Sequence, residues 1–181
     1  PPAKYGVVER TFSEWKAGAL DDWRVDEFDL LPDDLKVVGG APAWAYSRAL
    51  DVVPPSANPN RPNYVDGTVR FFTCQTCHMA AATGKGCNKN NAPVRYDLPR
   101  HDMTGGGYWM PDVVQYQAGR GTLRFGSLTQ DQIDAMDAGK SRAANQLTMA
   151  ASLTASQAGD ELDVRVTNLT GHKLISGYPE G

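Results

Sequence analysis

The sequence predicts an α+β fold. A loop-rich, mostly helical region covers 1–127, and a helix plus the start of an antiparallel β-sandwich-like domain covers 128–181. Three observations predict it. Apolar residues recur at helical spacing between 128 and 150. Apolar and polar residues then alternate on either side of Ala158-Gly159-Asp160. The chain also holds 18 Gly and 12 Pro in 181 residues, too many for a plain helical bundle.

In chain order, residues 7–20 read as a short amphipathic helix carrying Phe12 and Trp15. Residues 21–65 are loop-rich, with an acidic cluster from Asp21 to Asp34 that reads as solvated surface, and a short helix at 43–51. Residues 68–82 are compatible with a helix. Residues 83–108 read as one long loop rich in Gly, Asn and Pro, a length that points to function. Met110 to Gln117 offers one or two helical turns with Pro111 at the start. Residues 128–150 carry the strongest helical pattern. Thr129 and Gln132 form a capping box, Ile133, Met136, Ala143, Leu147 and Ala150 form an apolar stripe, and Gly139 is a candidate break. Leu153 and Ala155, then Leu162, Val164 and Val166, define a hairpin with one buried face. A lone hairpin is marginal in water, so the expectation is that further strands, from a longer protein or a second chain, complete the sheet.

Composition excludes several classes. Lys+Arg number 18 and Asp+Glu 21, a net charge of -3, which is not the basic surface of a nucleic-acid binder. No stretch of about 18 apolar residues suggests a membrane span. The first residues show no basic-then-apolar pattern, so an export signal is expected outside this sequence.

The scarce residues carry the chemistry. Of three cysteines and three histidines, two cysteines and one histidine fall in Cys74-Gln75-Thr76-Cys77-His78. Cys-x-x-Cys-His is the attachment signature of c-type haem. Two thiols one helical turn apart reach the two vinyl groups on one porphyrin edge, and the adjacent imidazole meets the iron from that side. Two other uses of these residues are open. Cys74, Cys77, Cys87 and His101 make a possible Cys₃His structural zinc module. A thiol-redox pair is the other, although its usual βαβ setting is not visible. Cys87 is left over from the haem motif, free or paired with a cysteine elsewhere.

Phe12-Ser13-Glu14-Trp15-Lys16, Cys74-Gln75-Thr76-Cys77-His78-Met79, Gly84-Lys85-Gly86-Cys87, the run from His101 to Gly105-Gly106, and Gly171 to Gly181 together resemble a family of exported multihaem c-type cytochromes of metal-respiring and nitrogen-cycling prokaryotes. In that family a Cys-Gln-x-Cys-His-Met haem site is followed by a His-x-x-x-Gly-Gly loop and by a Gly-His-Lys-Leu-Pro-Thr-Gly-Tyr-Pro-Glu-Gly segment in a β domain. This chain departs by having a single haem motif, and Ile175 and Ser176 where the pattern has Pro and Thr.

The resemblance implies bis-histidine ligation, with His78 proximal and either His101 or His172 distal. Met103, Met110 or an open position are the other ways to fill the sixth site. Arg95, Arg100, Arg120 and Arg124 are candidate partners for haem propionates. The expectation is therefore an electron carrier with one covalent haem c, periplasmic or extracellular, without a membrane span and without nucleic acid. Its partners would be other redox proteins, haem-bearing subunits or further copies of the chain. An open iron site would instead make it a haem oxidoreductase, or a subunit of one, for nitrogen or sulfur oxyanions.

Overall fold

The computed structural model describes residues 10–51 and 68–176. It is a mixed helix-and-sheet, α+β chain with two small antiparallel sheets. Among the described residues no helix is long and apolar enough to cross a membrane.

Helix α1 spans Thr11–Lys16. It is shorter than the expected 7–20, of which 7–9 lie outside the described residues, because the chain turns at Gly18, whose N–H donates to Trp15 O. The acidic stretch that follows is folded, not merely solvated. It forms 3₁₀ turns over Val25–Leu30 and Asp33–Leu35. Lys16 Nζ meets Asp21 at 2.5 Å, Arg24 Nε meets Asp26 at 2.9 Å, and both aspartates are largely shielded. Helix α2, Ala41–Asp51, then buries Ala41, Ala45 and Ala49. A four-residue spacing puts all three on one face, and their small side chains allow close approach.

That face closes the core of Leu20, Val25, Leu31, Ala45, Ala49 and Phe72, with Trp23, Phe28, Trp44, Tyr46 and Cys77 packed against it. The segment before the cysteine motif is fastened to this core by backbone bonds. Val25 N–H donates to Arg70 O and Phe72 N–H donates to Trp23 O.

Helix α3 is only Cys74–His78. Its flanks are not helical because Thr73 is extended and caps it, its hydroxyl accepting from Thr76 N–H. Residues 83–108, expected as one long loop, instead include most of a strand pair. Strands β1, Ala81–Lys85, and β2, Val94–Pro99, pair antiparallel, with an irregularity between Ala82 and Gly84. Asp97 on β2 is buried and lies 3.9 Å from buried Arg70.

Helix α4 is Met110–Gly119, with Pro111 in its first turn as expected. Helix α5 runs unbroken through Gly139 over Gln130–Leu147, with the Thr129–Gln132 capping box formed. Strands β3, Ala151–Ala158, and β4, Glu161–Asn168, form the expected hairpin, with Gly159 at φ 62° in its turn. The register puts Leu153 opposite Val166 and Ala155 opposite Val164, so one face is apolar. That face is exposed, contrary to the expected burial, because no described element packs on it. After the hairpin the chain returns to the first core. Leu169 is buried, its N–H donates to Ala150 O, and its carbonyl accepts from Ala41 N–H.

Candidate functional site

The cysteine motif sits where the core meets the surface. Helix α3 presents Cys74 to solvent and turns Cys77 inward against the core. Burial first, and the neighbouring Cys74 second, push the Cys77 thiol up to about 12. A thiol-redox site needs the opposite shift, since the thiolate is the reactive species. No disulfide joins any of the three cysteines, and Cys87 is exposed.

His78 ends α3 and is held by a loop remote in sequence. Its Nδ1 lies 2.5 Å from Thr104 O, while Thr104 N–H donates back to His78 O at 3.1 Å. A carbonyl oxygen only accepts, so Nδ1 carries the hydrogen and Nε2 keeps its lone pair. Gln146 on α5 braces the same point through Thr104, its Oε1 accepting from the Thr104 hydroxyl. Gly105 follows in the same loop, and a β-carbon there would be in ordinary contact with the His78 ring at 3.8 Å.

The second histidine at this place is His172. Its ring is within 12° of parallel to that of His78, with centres 6.1 Å apart. Its Nδ1 lies 2.8 Å from Lys173 O, so by the same logic its Nε2 is the free nitrogen. Its own carbonyl is held by Asn168 Nδ2 at 2.6 Å and by the Thr170 hydroxyl at 2.7 Å. The two rings are stacked, and each leaves Nε2 as the nitrogen through which an imidazole can bind a metal ion.

The other sequence candidates lie elsewhere. His101 is exposed. Among the described residues no three or more of His, Cys, Asp and Glu gather to hold a metal ion, so Cys74, Cys77, Cys87 and His101 do not form the four-ligand zinc set. Met103 and Met110 line a separate cleft between the 102–108 loop and helices α4 and α5. Arg95 is engaged with Asp97 through two bonds of 3.0 and 3.2 Å, and Arg120 with the Tyr116 hydroxyl at 3.1 Å.

Thr104 and Gln146 carry no signal in the sequence as site residues, because their role is set by contacts 26 and 42 positions away.

Against family models, curated proteins and solved structures, the chain matches none.

Proposed function

We propose that the chain is an electron carrier with one covalently attached haem c, joined through Cys74 and Cys77 and ligated by His78 and His172. The observation that carries the reading is the near-parallel pair of imidazoles 6.1 Å apart, each with Nδ1 tied to a backbone carbonyl. This arrangement supports His172 rather than His101 as the distal ligand of the proposed haem.

The residues present fit the group. Cys74 and Cys77 lie one turn apart on α3 beside His78. Attachment would add each thiol across a vinyl group, the sulfur bonding one vinyl carbon and the thiol hydrogen ending on the other, so no oxidant is needed. A haem held there by Cys74, Cys77, His78 and His172 would supply one-electron transfer. The protein's own part is to fix both imidazoles before any iron arrives. Thr104 and Gln146 orient one, and Asn168, Thr170 and Lys173 orient the other. Second-shell bonds of this kind set the tautomer and ring plane of a ligating histidine.

The setting proposed with it is an exported chain, periplasmic or extracellular, exchanging electrons with other haem-bearing subunits. The exposed apolar face of the β3–β4 hairpin fits the start of a β-sandwich-like domain completed by further strands.

The test is the optical spectrum of the purified protein, oxidised and reduced, with pyridine haemochrome and carbon monoxide additions. A c-type spectrum with low-spin iron indifferent to carbon monoxide is expected. Absence of a Soret band from protein made in a host that matures c-type cytochromes would overturn the reading.

A further inference from the structure

The outer edge of β4 is open. The hairpin sheet has the order β3-β4, and among the described residues no other strand pairs with it. All eight residues of β4 are exposed. The register with β3 runs without a bulge from Ala151–Asn168 to Ala158–Glu161. Neither strand contains Pro or Lys, two of the residues with which natural sheets block an edge. Two strands alone are marginal in water, and three or more with an apolar face are needed for independent stability.

The backbone sets which residues face that edge. The two-residue turn at Gly159-Asp160 makes Ala158–Glu161 a hydrogen-bonded pair, and bonded and non-bonded pairs then alternate along the hairpin. Asp163, Arg165 and Thr167 therefore turn their N–H and C=O groups toward β3. Leu162, Val164 and Val166 turn theirs outward.

In antiparallel orientation β4 is complementary to itself. With Val164 opposite the partner's Val164, Leu162 falls opposite the partner's Val166, and the outward backbone groups meet. On the other face Asp163 falls opposite the partner's Arg165, and two-fold symmetry makes this pair twice. These are non-hydrogen-bonded positions, where Cα atoms lie about 4.5 Å apart and side chains meet most closely. Within the chain the same two residues face only Ser156 and Thr154. Charge also rejects the neighbouring registers. One step one way sets Asp163 against the partner's Asp163, and one step the other way sets Arg165 against the partner's Arg165, and like charges directly opposite are destabilising. Strand β3 has no charged residue and offers no such selection.

We infer that a second copy of this chain pairs along the outer edge of β4, antiparallel about Val164, to give a four-stranded sheet in the order β3-β4-β4-β3. The inference names the source of a further strand and does not require the haem. One strand edge is a small interface, so association in the micromolar range or weaker is expected.

Sedimentation velocity of the full chain, from low micromolar to several hundred micromolar, tests it. A shift from monomer to dimer is expected. Asp163→Arg and Arg165→Asp each turn both cross-strand pairs repulsive, so each is expected to weaken the dimer about tenfold or more. Both positions are exposed, so the far-ultraviolet circular dichroism of each variant is expected to match that of the parent. An equimolar mixture of the two variants sets opposite charges across the mixed dimer again, and association is expected to return. The double variant Asp163→Arg/Arg165→Asp, unchanged in net charge, is expected to dimerise like the parent. A chain that stays monomeric throughout, a dimer indifferent to either single variant, or a mixture that associates no better than its components each overturns the inference. Sedimentation is read without the haem, so a failure here is separate from a failure of the electron-carrier reading.

Discussion

Gly171 lies so close to Leu20 that a β-carbon on it would sit 3.0 Å from Leu20 Cδ2 and 3.4 Å from Trp15 Cδ1. The carbonyl of Gly171 is equally close to Gly18, where an added β-carbon would lie 3.1 Å away. The loop carrying His172 is thus seated on the end of α1, and it can sit there only without a side chain. Leu20 is in the core and has little room to retreat. Gly171→Ala is expected to cost about 1–3 kcal/mol of stability by overpacking. It is also expected to push His172 out of line with His78. In the haem-bearing protein that displacement reads as new carbon monoxide binding, and an unchanged spectrum would count against this seating.

The two candidate distal ligands separate by single substitutions. His172→Ala is expected to give high-spin iron that binds carbon monoxide. His101→Ala is expected to leave the low-spin spectrum intact, since the exposed His101 lies apart from the paired rings. The reverse pattern would hand the distal position to His101.

Cys77 gives the chain a pH dependence that the proposed haem attachment would remove. Its thiol is pushed from 9.0 up to about 12 in the folded protein, first by burial and then by Cys74. Below pH 9 the thiol is protonated whether the chain is folded or not, and contributes nothing. Between 9.0 and about 12 the unfolded thiol ionises while the folded one keeps its proton, so the unfolded state is favoured and stability falls as pH rises. Denaturant melts of the haem-free chain are expected to show this loss relative to Cys77→Ala. In the haem-bearing chain a thioether has no proton to lose, and the difference is expected to vanish. Parallel pH profiles for haem-free chain and variant would refute the buried-thiol picture.

The hairpin face offers a contrast with the core. Leu153, Val164 and Val166 are 68%, 51% and 59% exposed, so replacing any of them by Lys is expected to change stability by no more than about 0.5 kcal/mol. Phe72, at 1% exposure, is expected to cost about 3–5 kcal/mol when cut to Ala. Thermal or urea unfolding of both sets measures the gap. A large loss from Val164→Lys would mean that a further chain covers this face in solution.

What could be read from the residues alone follows the range of the forces involved. The Thr129–Gln132 box, Pro111 at the start of α4, and the alternation around Gly159 are local signals, and each gave its element. The β1–β2 pair was missed although Val94, Tyr96 and Leu98 alternate. Its partner strand, Ala81–Lys85, has no β-branched residue except Thr83 and contains Gly84, so its pairing depends on tertiary contact. The same division runs through the site. Cys74, Cys77 and His78 are legible from spacing within one turn. The partnership of His78 with Thr104, Gln146 and His172 is not, because chain folding alone brings those residues together.

The β3–β4 hairpin has a mechanical consequence. Beyond the Ala151–Asn168 pair its feet are joined by Leu169 N–H to Ala150 O, and the Leu169 carbonyl accepts from Ala41 N–H. The exposed strands extend from Leu169, which joins them to the first core three residues before His172. A load on their apolar side would therefore have to reach the core through Leu169.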